Sequence, residues 1–175
     1  MKTGTLLLIV VFAIASGGCA LHYVPTPSPA FDVIPEFTTT NAVYLRNGQP
    51  STDEVIWSNF DPRFTGYANL HEWTNVAISL AERELTKRGM TIADGESRSL
   101  TMAITSAKHE PVADGFGDQM TIVMHVEAGN GYSADYTGKN ASYVMRKIPR
   151  LVDGAVMRVV AEVLKDPNIV SYLSK

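Results

Sequence analysis

The chain contains a single cysteine, Cys19, among its 175 residues. One cysteine excludes an intrachain disulfide framework and any zinc site built from several thiolates. Basic residues are also scarce, because 15 lysines and arginines stand against 18 aspartates and glutamates, for a formal net charge of −3. Such a chain lacks the basic surface that binds nucleic acids. We therefore expect no nucleic-acid partner.

Motifs of the common enzyme classes are missing as well. Two His-Glu pairs occur, at 71–72 and 109–110, but the second histidine of a zinc-protease motif is replaced by Asn75 and by Ala113. No nucleophile elbow, Walker loop or dinucleotide-binding fingerprint is present. We therefore expect no catalytic residue and no cofactor, and an enzyme is the least favoured class.

A polar stretch from His109 to Gln119 carries the best candidates for a cation site, and we interpret this stretch as a loop. The candidate ligands are His109, Glu110, Asp114 and Asp118. Their spacing matches no standard calcium loop. Gly115 and Gly117 favour a tight turn instead, so we predict no metal site.

The longest apolar run is Leu6–Ala15, at the beginning of the chain. A transmembrane helix needs about 20 apolar residues, so these ten are too few to span a bilayer. Lys2 precedes the run, and the small residues 16–18 follow it, directly before Cys19. This order is typical of a cleaved signal peptide. We predict that residues 1–18 are that signal.

The signal resembles that of a bacterial lipoprotein. The resemblance implies a diacylglycerol group on the sulfur of Cys19 and a further acyl chain, such as palmitate, on its new amino group. Two or three acyl chains give stable membrane anchoring. Ser16 departs from the pattern, since an apolar residue is usual there, and ordinary cleavage to a soluble periplasmic product is the alternative. Ala20 after the cysteine favours the outer membrane.

Residues 19–30 follow the predicted anchor and contain Pro25, Pro27 and Pro29. Prolines at alternate positions favour an extended, polyproline-like chain. We predict a tether between the membrane and a single α+β domain at 31–175. A ligand for a proline-binding groove is the alternative interpretation.

Two stretches of this domain predict helices with one apolar face. The first begins after Asn69, an N-cap residue with Glu72 three positions later, and ends at Gly89. The second spans 149–165 and is stopped by Asp166-Pro167. Beyond it, Ile169, Tyr172 and Leu173 could form a closing turn that docks on the domain. In both predicted helices, apolar residues recur at helical spacing.

Period-two alternation predicts four or five strands. They are expected at 43–46, 53–60, 100–105, 120–127 and 132–137. Asn47-Gly48 is a turn signal after the first strand, and the second strand could return beside it before a polar, aromatic loop that runs to Asn69. His125 falls on the polar side of the fourth strand. The polar residues between the apolar ones indicate antiparallel strands that are covered on one side. We therefore predict a two-layer α+β sandwich of order β(β)αβββα, with two helices on one face of an antiparallel sheet of four to five strands.

This arrangement resembles the YajG-like family of bacterial outer-membrane lipoproteins. The resemblance rests on Cys19 and on the segments LTKRGM at 85–90, AGNG at 128–131 and NASY at 140–143, in that order. It implies a two-layer lipoprotein fold, and related lipoproteins serve as accessory components of envelope ABC transporters. It implies no catalytic residue.

We therefore predict a non-enzymatic protein of the cell envelope, anchored through Cys19 to the periplasmic face of the outer membrane. It would bind or scaffold envelope proteins, or a second copy of itself, through a subset of exposed aromatic residues. The candidates are Tyr44, Trp57, Phe60, Phe64, Tyr67, Phe116, Tyr132 and Tyr136, and the alternative interpretation is that they fill the edges of the core. The alternative is an auxiliary lipoprotein of a transport system that carries or senses a hydrophobic ligand. A carrier predicts a deep apolar cavity between helices and sheet, whereas a scaffold predicts a packed core and an exposed apolar patch.

Overall fold

The computed structural model describes residues 19–27, 41–59, 64–95, 98–112, 117–143 and 148–175. The predicted signal peptide and residues 28–40 lie outside these ranges. The strands are β1 (Cys19–His22), β2 (Ala42–Asn47), β3 (Glu54–Ser58), β4 (Phe64–Asn69), β5 (Thr91–Ile92), β6 (Ser99–Pro111), β7 (Asp118–Ala128) and β8 (Ser133–Ser142). The helices are α1 (Leu70–Lys87), α2 (Ile148–Lys165) and α3 (Pro167–Ser174). The α+β class predicted from the sequence is confirmed.

The larger sheet has five strands in the order β5-β2-β6-β7-β8. Strands β6, β7 and β8 are antiparallel neighbours, as predicted. However, β2 runs parallel to both β5 and β6, so the prediction of an entirely antiparallel sheet is wrong. The reason is the connection between β2 and β6. It includes α1, which packs on both strands and supplies the crossover that parallel pairing requires.

The smaller sheet has three strands in the order β1-β4-β3. Strand β3 was expected to return beside β2, but it pairs with β4. A turn at Asn47-Gly48 does not form, because the chain continues along β6 and the Gly48 amide donates to the Met102 carbonyl at 2.8 Å. The expected loop at 64–69 is also wrong. Its Gly66 leaves room for the Trp57 ring, which would lie 2.5 Å from an added Cβ.

Helix α1 begins and ends where the sequence predicts. The Asn69 side chain accepts a hydrogen bond from the Glu72 amide at 3.1 Å. At the other end Gly89 has a φ of 88°. The Gly89 amide donates to Thr86, and the Met90 amide donates to Leu85, which is the Schellman pattern.

Both long helices pack on one face of the larger sheet, as predicted. The sheet side of this core is formed by Val43, Leu45, Leu100, Met102, Ile104, Met120, Ile122, Met124 and Val126, all buried. The helix side includes Trp73, Ala77, Leu80, Leu85, Leu151, Val152, Val156, Val159, Val160 and Val163. Burying one such large side chain contributes about 1.5–3 kcal/mol, so this interface is the main source of stability.

The C-terminal residues form a third helix rather than the expected closing turn. Asp166 caps α3 by accepting a hydrogen bond from the Asn168 amide at 2.7 Å. Pro167 occupies the first turn, where its missing amide hydrogen is not needed. Ile169 and Leu173 are fully buried and attach the helix to the core.

None of the helices in the described ranges has the length and apolar character needed to span a membrane.

Candidate functional site

Cys19, the predicted acylation site, is exposed and is the first residue of β1. Strand β1 pairs in parallel with β4, so that Cys19 lies beside Phe64 and His22 beside Tyr67. The His22 ring also stacks on the Tyr67 ring, with 5.2 Å between their centroids. The predicted acylation site therefore lies on an edge strand of the smaller sheet.

Residues 23–27 continue across the domain surface. The Trp73 indole donates to the Tyr23 carbonyl at 2.7 Å, which joins this segment to α1. The Tyr23 hydroxyl donates to Asp153 Oδ1 at 2.9 Å, and the Thr26 amide donates to the same oxygen at 2.8 Å, which joins it to α2. Burial raises the pKa of Tyr23, as does the Asp153 carboxylate, although a hydrogen bond with Thr26 lowers it.

The expectation of a free tether is therefore wrong for residues 19–27. Leu21 and Tyr23 are partly buried and pack against the core, and Pro25 is buried. These alternate positions all turn inward, because successive side chains of an extended chain point to opposite sides. The prolines do favour an extended chain, but Leu21 and Tyr23, which precede them, attach it to the core.

Ser58 lies in a group with His109 and Asp118, two of the candidate cation ligands, and the sequence did not predict its part in it. The Ser58 hydroxyl and His109 Nδ1 lie 2.8 Å apart and share a hydrogen bond. On the other side of the ring, Nε2 is 3.9 Å from Asp118 Oδ2. The ring also contacts Trp57, with 5.7 Å between centroids. His109 was expected in a loop, but it lies in β6, which continues to Pro111.

These three residue types are those of a hydrolase triad, but the geometry favours a structural role. Ser58 is 2% exposed and His109 is 5% exposed, so a substrate has no access to the hydroxyl. The distance to Asp118 also exceeds that of a hydrogen bond. Ser58 and His109 are hydrogen-bond partners for one another where the two sheets meet, beside Trp57.

Glu110 is not assembled with His109 and Asp118 into one cation site. Glu110 binds Lys108 at 2.6 Å, and its register places it on the other face of β6 from His109. Asp114 lies outside the described residues. Across the ranges that the structure describes, no group of three or more potential ligands could hold a metal ion.

Glu84 is a buried carboxylate with two cationic partners on the same helix. Lys87 Nζ lies 2.6 Å from one oxygen and Arg88 Nη1 lies 3.0 Å from the other. Although burial raises the pKa of Glu84, the hydrogen bonds from Lys87 and Arg88 outweigh it and lower the pKa. The charge is therefore compensated within the last turns of α1, which indicates a structural role.

The face of the larger sheet opposite the helices is accessible to solvent. Its side chains are half-buried or exposed, and they include Tyr44, Arg46, Thr101, Thr121, Val123, His125, Glu127, Asp135, Thr137 and Lys139. We call this set the open face. Most of it is polar, and Arg46 lies over the Tyr44 ring at 5.6 Å from its centroid.

His125 is at the centre of a charged group on the open face. Its Nδ1 lies 2.7 Å from Asp135, and its Nε2 lies 3.3 Å from Glu127. The hydrogen bond to Asp135 raises the pKa of His125, burial opposes this, and Glu127 raises the pKa further. The sequence placed His125 on the polar side of its strand, but it did not identify Asp135 as a partner.

Few aromatic residues form the exposed surface that the sequence predicted. Trp57 and Tyr136 are buried, and Tyr136 and Tyr132 both donate their hydroxyl groups to Asp166, at 2.6 and 2.7 Å. Tyr44 on the open face and Tyr67 on the smaller sheet are half-buried. Phe60 and Phe116 lie outside the described residues.

The described residues line at least two surface cavities. One, of about 610 Å³, is lined mainly by polar residues, including Arg98, Asn130, Tyr132 and Lys175. The other, of about 390 Å³, lies beside the N-terminal segment and is lined by Pro25, Thr26, Pro27, Asn75, Val76, Ser79, Leu80 and Arg83. Neither lies between the helices and the larger sheet, where a carrier would be expected to hold its ligand.

Comparison with known proteins identifies a shared fold. No family model matches the chain, and no curated protein matches it. The crystal structure of protein XCC0632 from Xanthomonas campestris, assigned to the DUF330 family, has a TM-score of 0.56 and 12% sequence identity. The similarity covers 87% of this chain and 96% of that chain. The chain therefore has the fold of a bacterial DUF330 protein.

Proposed function

We propose that this protein is a non-enzymatic lipoprotein of the bacterial outer membrane, acylated on Cys19, that binds or scaffolds a partner protein on the periplasmic side. The observation that carries the proposal is the position of Cys19. It is exposed at the first residue of β1 and directly follows a segment that resembles a lipoprotein signal. An acyl-transferring enzyme can reach such a side chain without unfolding the domain.

Two further observations support the proposal. The sequence resembles YajG-like lipoproteins, and the fold is shared with a bacterial DUF330 protein. The helix–sheet interface is filled by fully buried side chains, such as Trp73, Met124 and Val159, which favours a scaffold over a carrier of hydrophobic ligands.

We propose the open face as the surface that binds the partner protein. It carries both signs of charge, with Arg46 and Lys139 as well as Glu127 and Asp135, and all four side chains are exposed. A partner with a polar, mixed-charge surface would fit it.

The second candidate is the auxiliary role in a transport system, in which the protein senses a hydrophobic ligand. The cavity of about 390 Å³ beside Pro25, Val76 and Leu80 supports this candidate, since it is partly apolar. A ligand there would contact both α1 and the segment that follows Cys19.

Membrane fractionation of the Cys19→Ser variant tests the anchor. We expect wild-type protein in the outer-membrane fraction, with the mass of two or three acyl chains on its N-terminal peptide. Cys19→Ser should lose both properties. Ser16→Leu serves as the control, since it keeps the cysteine and restores the usual apolar residue. Wild-type protein without an acyl mass would overturn the proposal.

Photo-crosslinking tests the partner surface. A photoreactive amino acid at Thr121 lies on the open face, and one at Thr86 lies on the exposed side of α1, outside the smaller cavity, as the matched control. We expect a discrete crosslinked envelope protein from position 121 and none from position 86. The reverse pattern would place the partner on the helical side.

A further inference from the structure

We infer that the outer face of the smaller sheet lies directly on the phospholipid bilayer when Cys19 is acylated. The inference rests on the proposed acylation and adds the orientation of the domain and the chemistry of the surface that contacts lipid. We define the outer face as Ala20, His22, Val24, Glu54, Ile56, Thr65 and Tyr67.

The first argument is the lack of free chain between the anchor and the domain. Pairing with β4 begins at Cys19 itself, which is in register with Phe64. The hydrogen bonds of Trp73 and Asp153 with residues 23–26 then hold the segment on the helices. One extended residue spans about 3.3 Å, so acyl chains on Cys19 bring the bilayer to within a few ångströms of β1.

The second argument is the direction of the side chains. Leu21, Tyr23 and Pro25 turn inward and are partly or fully buried, whereas Ala20, His22 and Val24 point the other way and are exposed. The register places His22 beside Tyr67 and Tyr67 beside Ile56. The exposed side chains of three strands therefore form one continuous surface next to the anchor.

The third argument is the location of exposed apolar side chains. The described ranges contain four large apolar residues that are exposed, and two of them belong to the outer face. These are Val24 at 47% and Ile56 at 55% relative exposure. Apolar side chains concentrated on one surface mark a contact with an apolar partner.

Charge indicates the kind of lipid. Strands β1, β3 and β4 contain no lysine or arginine, so this surface has no basic group to attract anionic headgroups. The acidic Glu54 is paired with His22 at 2.6 Å. Tyr67 is of the type enriched at membrane interfaces. The surface therefore suits zwitterionic phospholipid, with Ile56 and Val24 below the headgroups.

Fluorescence quenching in vesicles tests the orientation. Cys19 is the only cysteine of the chain, and its sulfur is blocked when it is acylated, so one added cysteine is the single free thiol. Ile56→Cys places a fluorophore on the outer face, and Thr137→Cys places one on the exposed side of β8 as the matched control. Each acylated, full-length protein is reconstituted in phosphatidylcholine vesicles that contain lipid with a nitroxide near the headgroup.

We expect loss of fluorescence and a blue shift for the label at position 56, and neither for the label at position 137. Glu54→Cys lies on the same face and should behave like Ile56→Cys. Equal quenching at 56 and 137, or stronger quenching at 137, overturns the orientation.

The mass of the N-terminal peptide separates this inference from the proposed function. Acylated protein whose label at 56 is not quenched contradicts the orientation alone. Protein without acyl chains contradicts the proposed function, and with it the inference.

Discussion

Tyr23 and Asp153 are joined by a hydrogen bond of 2.9 Å although 130 residues separate them in the chain. The bond connects the segment after the predicted anchor to α2. Asp153 Oδ1 also accepts the Thr26 amide, so one carboxylate oxygen holds two points of the segment. The position of the N-terminal segment therefore depends on a helix near the end of the chain.

Asp153→Ala should loosen the N-terminal segment, because it removes the acceptor of both hydrogen bonds. We expect faster hydrogen exchange at the Thr26 amide and a loss of about 1–2 kcal/mol in the free energy of unfolding. Glu162→Ala on the same helix is the control, since an exposed ion pair such as Glu162–Lys165 contributes about 0–1 kcal/mol. Unchanged exchange at Thr26 would show that the segment does not depend on Asp153.

Leu80→Asp should destabilise the domain severely. Leu80 is 1% exposed, so the variant loses about 2 kcal/mol of apolar burial and also places an unpaired carboxylate in the core. We expect a large fall in the melting temperature, or failure to fold. Ser79→Asp, one residue earlier and exposed, should leave the melting temperature nearly unchanged. Similar melting temperatures for the two variants would mean that Leu80 is not a core residue.

Asp166→Ala should detach α3 from the body. The carboxylate caps the helix and accepts hydroxyl hydrogens from Tyr132 and Tyr136, so its removal should cost about 1–3 kcal/mol. Burial raises the pKa of Asp166, but the hydrogen bonds from Tyr136, Tyr132 and Asn168 outweigh it and lower the pKa. Its contribution is therefore present above the unfolded pKa of about 3.9 and is lost as the pH falls through the lower folded pKa.

Urea unfolding at neutral and acid pH measures this effect. The difference in the free energy of unfolding between wild type and Asp166→Ala should shrink in acid. A difference that stays constant would show that the ionised carboxylate is not the stabilising form.

His125 should titrate above the usual histidine value of about 6.5. The Asp135 carboxylate, which lies 2.7 Å from its ring, is the main cause of the raised pKa. The protonated form is therefore stabilised by folding, and this contribution is fully present below the unfolded pKa and is lost as the pH rises through the folded pKa.

An NMR titration of the His125 ring in wild type and in Asp135→Asn checks this. We expect the pKa to fall in the variant, and the Glu127→Gln variant should show a smaller fall because its contact is longer, at 3.3 Å. Equal pKa values in wild type and Asp135→Asn would contradict the assignment.

The sequence by itself determined the elements whose signals are local. The cap at Asn69, the Schellman end at Gly89 and the alternation in β6 and β7 depend on near neighbours, and all three predictions are confirmed. The buried stripes of α1 and α2 also follow from spacing alone, because one face of each helix must leave water.

Tertiary structure decided the pairing of distant segments. The parallel position of β2, the separate sheet of β1, β4 and β3, and the docking of residues 19–27 all depend on partners tens of residues away. Gly66 is one example, because the need for a residue without a side chain arises only from the Trp57 ring that lies against it. The outer face beside Cys19 is a second example. Only the register of three strands places Ile56, Tyr67 and His22 side by side, although they are far apart in the sequence.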